Sequence, residues 1–157
     1  MSCWAAALES WLSVCLSGSP YDEDWAVRSF TRWQATDCRI EWAGLRALAD
    51  LFRMRSEIVG MGALTPDYFY NRLQSGILYL TYVPTTGQVD SHSVVAYGVG
   101  FMGVDVMDPL EGYLTRPLEF FGSRTKAFVG WPSCPGGVIP DPASRVDWFL
   151  KTGMTPL

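Results

Sequence analysis

Ser91-His92-Ser93-Val94-Val95-Ala96-Tyr97-Gly98-Val99, then Gly100-Phe101-Met102-Gly103, then Val104-Asp105-Val106-Met107, is the stretch on which the fold turns. Gly98, Gly100 and Gly103 carry the letters of a dinucleotide-binding loop. That loop works only between a strand and a helix N-terminus, where free amides hold the pyrophosphate. Here a β-branched alternating run follows the glycines, so the stretch predicts two antiparallel strands joined by a hairpin turn. A turn through Val99, Gly100 and Phe101 sets His92 directly opposite Asp108, with Cβ atoms about 4.5–5.5 Å apart. A two-residue turn sets Pro109 opposite His92 instead, and the sequence leaves both registers open.

The rest of the second half continues in this period. Ile77 to Val83 is aromatic and β-branched and stops at Pro84, Tyr113-Leu114-Thr115 reads as a short strand, and Lys126 to Val129 as a last one. Leu118 to Phe121 reads as a helical turn. The first half has the helical period. Trp4, Leu8, Leu12 and Cys15 share one face of a helix over Ser2–Leu16. A second helix spans Asp22–Gln34, with Trp25, Phe30 and Trp33 as apolar contacts, and a third Glu41–Arg53, with Leu45, Leu48, Leu51 and Phe52 inward. Thr65-Pro66-Asp67 opens a fourth, to about Leu73, with proline at the first helical position. Arg46, Arg53 and Arg55 read as a solvated face. Beyond Trp131 comes a Pro/Gly-rich segment, with a short helix expected over Ala143–Lys151. Trp131 and Trp148 are expected at a substrate or partner surface. The whole is α+β, a helical half followed by a small antiparallel sheet.

Composition bounds the function. The 157 residues carry 12 Lys+Arg against 16 Asp+Glu and one His, a net charge of −4. That balance argues against binding a phosphate backbone, and one imidazole excludes a multi-histidine metal site. No metal or organic cofactor is implied. Cys3, Cys15, Cys38 and Cys134 show neither zinc-knuckle nor redox-pair spacing, and read as reduced thiols. The apolar start lacks a basic segment and carries Glu9, so it fits an amphipathic helix rather than a signal peptide. No uninterrupted apolar run of membrane-spanning length exists, so no membrane association is expected. Cytoplasmic residence is the default, and an effector exported by a dedicated machine would look the same. The oligomeric state is not legible.

Cys3 falls at the first turn of the first helix, where unpaired amides and the helix dipole favour a thiolate and a nearby oxyanion. Cys15 sits among apolar neighbours as a core residue. Cys38 lies in a connection between Asp37 and Arg39, and Cys134 in a Pro/Gly-rich loop with no basic partner nearby; neither reads as a site.

Ser2-Cys3-Trp4-Ala5-Ala6-Ala7 resembles the Cys-Trp-Ala segment that opens the central helix of papain-like cysteine peptidases. His92-Ser93-Val94-Val95-Ala96-Tyr97-Gly98 resembles their histidine strand, and Val104 to Gly112 resembles the strand and Asp-Pro-x-x-Gly turn of compact bacterial members. Those members include the bacteriocin-processing peptidase-like group and some plant-pathogen effector proteases. The resemblance runs from about Ser2 to Trp131. It implies a peptidase domain over 1–131 and a C-terminal extension over 132–157. It also implies Cys3 as nucleophile, His92 as proton carrier, Asp108 orienting His92 where many members use Asn, and a peptide or protein substrate. Ser2 and Trp4 would serve the oxyanion or the substrate. The pattern departs from the family at one point. Members place a Gln shortly before the Cys, and only Met1 and Ser2 precede Cys3. Three expectations follow: an upstream segment, a substitute donor such as the Ser2 hydroxyl or the terminal amine, or a degenerate module that binds rather than cleaves. An acyltransferase or amidase is the further enzymatic alternative, since a thioester can pass to an amine as well as to water.

Overall fold

Helix α1 (Cys3–Cys15) is the element on which the helical half is assembled. The computed structural model describes residues 2–60, 62–83, 91–123, 126–134, 139, 142 and 151–153. In α1, Trp4, Ala5, Ala7, Leu8, Trp11, Leu12 and Cys15 are all buried. Its two indoles each find a carbonyl: Trp4 Nε1 donates to Cys38 O and Trp11 Nε1 to Ile77 O, both at 3.0 Å. A buried indole N–H needs such a partner, so these bonds tie the helix to the connection before α3 and to the start of the sheet.

Helix α2 (Glu23–Ser29) is capped by Asp22, whose carboxylate accepts from Trp25 N at 2.7 Å. It is shorter than its sequence period suggests. Thr31 Oγ1 takes the carbonyls of Val27 and Arg28, and Gln34 Nε2 also takes that of Val27. Side chains thus occupy the acceptors that further helical turns would use, and the chain tightens into a 3₁₀ turn at Thr31–Trp33. Helix α3 (Trp42–Leu51) buries Leu45, Leu48 and Leu51 as expected but ends two residues early. Arg53 adopts φ 49°, and the chain enters a strand, β1 (Met54–Gly60), that the sequence reading passed over. Its exposed Arg55 and Ser56 are the outer residues of an edge strand, so Arg55 belongs to a sheet edge rather than to a helical face.

Helix α4 (Pro66–Leu73) starts as read, with Thr65 Oγ1 accepting from Tyr68 N at 3.2 Å. The remaining elements are β2 (Leu78–Val83), β3 (His92–Gly100), β4 (Gly103–Asp108), β5 (Gly112–Arg116), α5 (Leu118–Gly122) and β6 (Lys126–Pro132). The six strands form one antiparallel sheet in the order β1-β6-β2-β3-β4-β5. Two cores lie on its opposite faces. Helices α1–α3 pack on Tyr79, Val95 and Phe128. Phe69 of α4 and Phe121 of α5 pack with Leu78, Leu80, Val94, Ala96, Val104 and Val106. Coverage on both faces explains why β2 reads as a continuous apolar run rather than an alternating one.

Trp131 is a core residue at 8% exposure, with the Arg72 guanidinium 4.4 Å above its ring, and not a surface residue as its loop-like setting suggested. Trp148 and most of the helix expected over 143–151 fall outside the described residues. Beyond β6, Ile139 is buried in the first core and donates its N–H to Cys15 O at 2.9 Å. Among the described residues no helix is long and apolar enough to cross a membrane.

The β3–β4 hairpin departs from both registers drawn from the sequence. Its tip is the pair Phe101-Met102, with Gly100 opposite Gly103, Val99 opposite Val104 and Gly98 opposite Asp105. Continued unchanged, that ladder would set Asp108 level with Val95, on the opposite face from His92. A β-bulge at Tyr97 intervenes, and beyond it Ala96 pairs with Val106 and Val95 with Met107. One further step sets Asp108 level with Val94, two residues from His92 on the same face. The two side chains therefore meet diagonally rather than directly across the hairpin.

Candidate active site

Cys3 is the first residue of α1, and Ser2 occupies the N-cap position with extended backbone and no side-chain cap bond. The helix start is held from two sides. Ser2 N donates to Glu23 Oε1 at 2.7 Å, and Tyr79 Oη donates to Trp4 O at 3.1 Å. The Cys3 sulphur lies 3.9 Å from Ser91 O, at the point where β3 begins. His92, the next residue, brings its imidazole beside the thiol, close enough for each group to shift the other's ionisation. Its Nε2 is 2.9 Å from Asp108 Oδ1. An ionised Asp108 accepts from Nε2–H, so the lone pair of the neutral ring sits on Nδ1. That is the nitrogen available to the sulphur.

Asp108 is 1% exposed and fully engaged. Oδ1 also accepts from Leu110 N at 2.9 Å, and Oδ2 accepts from an Arg116 terminal nitrogen at 3.1 Å. The Tyr82 ring stands edge-on to His92, with centroids 5.8 Å apart, and to Phe120 at 5.7 Å. These rings wall the imidazole on the α5 side.

The electrostatics follow from these contacts. Burial pushes the Cys3 thiol up, but hydrogen bonds from His92 and the amides of Ser93 and Trp4, with the imidazole charge, outweigh it and hold Cys3 below the ordinary thiol value. Burial pushes His92 down, but its bonds to Cys3 and Asp108 and their charges leave it above the ordinary imidazole value. Burial raises Asp108, and the Leu110 amide, His92 and Arg116 together bring it below the usual carboxylate range. Each group thus favours the charged state that supports its neighbour. Cys15 contrasts with this. It is buried without such partners and is pushed up to about 12.

A cleft of about 440 Å³ is lined by Thr81 and by Ser91, whose carbonyl the thiol approaches, with Ile40, Glu41, Trp42 and Leu45 around the α3 start as its other wall. Among the sites read from sequence, Cys3, His92 and Asp108 come together. Ser2 has its backbone N–H committed to Glu23 and only its hydroxyl uncommitted to the helix. The Trp4 side chain is 1% exposed and serves the core, while its backbone amide turns to the thiol. Cys38 and Cys134 are exposed free thiols. Sequence reasoning missed Arg116 and the α3 wall. The one available signal for Arg116 was an isolated cation on a short strand directly following the strand of Asp108. Among the described residues no group of three or more His, Cys, Asp or Glu side chains could hold a metal ion.

No family model matches the sequence, and no curated protein matches it. Solved structures do resemble it. The peptidase domain of Streptococcus ComA, a bi-functional ABC transporter involved in quorum sensing, superposes with a TM-score of 0.60 at 18% identity, over 82% of this chain and 90% of that one. A double glycine motif protease from an AMS/PCAT transporter, solved with its leader peptide, superposes with a TM-score of 0.55 at 15% identity, over 82% of each chain. Pseudomonas avirulence protein AvrPphB aligns at 12% identity over 81% of this chain and 90% of that one, with a TM-score of 0.41 that is too low to inform this chain. Both informative neighbours are peptidases, and the chain, with its helices packed on an antiparallel sheet, has their papain-like fold.

Proposed function

We propose that this chain is a cysteine peptidase that cleaves a peptide or isopeptide bond through a thioester. The observation that carries this reading is the placing of Cys3, at a helix N-terminus, beside the start of β3, where the next residue, His92, is hydrogen-bonded to a buried Asp108. Nδ1 of His92 takes the Cys3 proton, and the thiolate attacks the scissile carbonyl carbon. The carbonyl oxygen becomes an oxyanion, beside the Cys3 backbone amide and the Ser2 hydroxyl. The tetrahedral species collapses, the C–N bond breaks, and His92 gives its proton to the departing amine. Water, deprotonated by His92, then releases the acid and restores the thiol. Asp108 keeps the ring oriented and Nε2 protonated throughout. The cleft walled by Trp42 and Leu45 would seat the substrate chain, a peptide or protein as for the leader-peptide-bound neighbour.

Iodoacetamide labelling across a pH series, with the labelled cysteine identified by mass spectrometry, tests the reading in the wild type and His92→Ala. Cys3 should label rapidly well below the ordinary thiol pKa of about 8.5 and lose that advantage in the variant. A Cys3 that labels no faster than the exposed Cys134, and ignores His92, would overturn the assignment.

A further inference from the structure

Asp108 differs from a simple orienting carboxylate in what stands behind it. Both of its hydrogen bonds from His92 and from the Leu110 amide fall on Oδ1. The partner of Oδ2 is Arg116, from β5. Arg116 lies opposite Val104 in the β4–β5 ladder and reaches along the sheet toward the Asp108 end. Its guanidinium lies 4.7 Å over the Phe120 ring, and its side chain is only 18% exposed. Its Nε is buried with no hydrogen-bond partner. A guanidinium in water would satisfy that donor. Here the group gives it up and is held against the carboxylate.

We propose that Arg116 is a positioning residue that neutralises Asp108, so that His92 meets a hydrogen-bond acceptor of nearly zero net charge in place of a bare carboxylate. This inference rests on the peptidase reading for its catalytic meaning, though not for its test. An unpaired buried carboxylate would hold the imidazolium strongly and make it a poor acid toward the departing amine. A neutralised one still fixes the ring and its tautomer, as an amide side chain would, and leaves His92 able to surrender its proton. The charged and titratable groups facing this pair are few. Cys3 comes from α1, Tyr82 from β2, His92 from β3, and Glu111, which is 58% exposed, from the β4–β5 turn. Glu111 accepts from the same Arg116 nitrogen at 2.5 Å, so the cation is shared between one buried and one solvated carboxylate.

The chain contains a single histidine, so one imidazole is seen when the whole protein is titrated by NMR. The comparison is wild type, Arg116→Gln, Arg116→Lys and the double variant Arg116→Gln/Asp108→Asn. Arg116→Gln removes the charge and keeps a donor. It should shift the His92 midpoint upward by about one pH unit, a tenfold gain in proton affinity, as expected for a charge lost at this range. Arg116→Lys keeps the charge and should leave the midpoint within about 0.3 unit of wild type. The double variant restores neutrality behind the ring and should return the midpoint toward wild type. An unmoved or lowered midpoint in Arg116→Gln overturns the proposal, and so does an equal shift in Arg116→Lys and Arg116→Gln. If Arg116→Gln does not fold, a shift of more than half a unit in Arg116→Lys overturns it by itself. The titration needs no turnover. A Cys3 that fails the labelling test with His92 still responding to Arg116 removes the peptidase reading alone, and the reverse result removes this inference alone.

Discussion

Replacing Tyr79 with Phe deletes one oxygen atom from the floor beneath the candidate active site. Tyr79 is 0% exposed, and Phe fills the same space without opening a cavity. Its hydroxyl donates to Trp4 O at 3.1 Å, and the Thr81 and Ser93 hydroxyls lie close enough to favour its ionised form. Those two face each other across β2 and β3 at 2.7 Å and are each 1% exposed. Together they carry two hydroxyl hydrogens, of which their mutual bond uses one, and the Tyr79 oxygen is the acceptor at hand for the other. The variant therefore loses the bond to Trp4, about 1 kcal/mol net, and strands one buried hydroxyl, at about 1 kcal/mol or somewhat more. The expected loss is about 2 kcal/mol, which for a chain of this size lowers the melting temperature by about 4–8 °C. Urea unfolding of both proteins measures it. In a Thr81→Val/Ser93→Ala background no hydroxyl is left to strand, and the same Tyr79→Phe change should cost only about 1 kcal/mol. A cost below about 0.5 kcal/mol in the wild-type background, or an equal cost in the two backgrounds, refutes the three-hydroxyl account.

Gly103 has φ 144°, and a Cβ there would lie 2.1 Å from Arg116 O, which is main chain and cannot swing away. Gly103→Ala should cost about 3 kcal/mol in urea unfolding, from strain plus overlap, whereas Gly100→Ala, with nothing within 4 Å of its Cβ, should stay within about 0.5 kcal/mol. Asp108 is held below the usual carboxylate range, so its contribution to stability is present above the unfolded value of about 3.9 and is lost as pH falls through the folded value. His92 is raised, so its contribution is complete below about 6.5 and is lost as pH climbs through the folded value. Urea midpoints across pH 2–9 should show both limbs, with the acid limb reduced in Asp108→Asn and the alkaline limb absent in His92→Ala. Cys15, buried and pushed up to about 12, should resist alkylation in the native protein and label only on unfolding, while the exposed Cys38 and Cys134 label from the start.

Local sequence determined much of this protein. The 3.6-residue period of Trp4, Leu8, Leu12 and Cys15, the Asp22 and Thr65 caps, and the apolar run of β2 are set by near neighbours, and each of these elements starts where the sequence placed it, though α2 ends early. The order Cys3, His92, Asp108 and their positions at the ends of elements were legible for the same reason. What escaped depends on contacts between distant strands. β1 is an edge strand with an exposed outer side, and only pairing with β6, more than sixty residues on, distinguishes it from a helix tail. The face on which Asp108 appears is decided by one bulged residue, Tyr97. Side-chain facing alternates with every residue along a strand, so a single extra residue separates a formed His–Asp contact from an impossible one. Arg116 reaches Asp108 only because β5 folds back beside β4, placing a cation eight residues away in sequence within hydrogen-bond distance of a buried carboxylate. Period and capping act over one turn and can be read from the chain. Register and charge pairing are settled only once the sheet has closed around them.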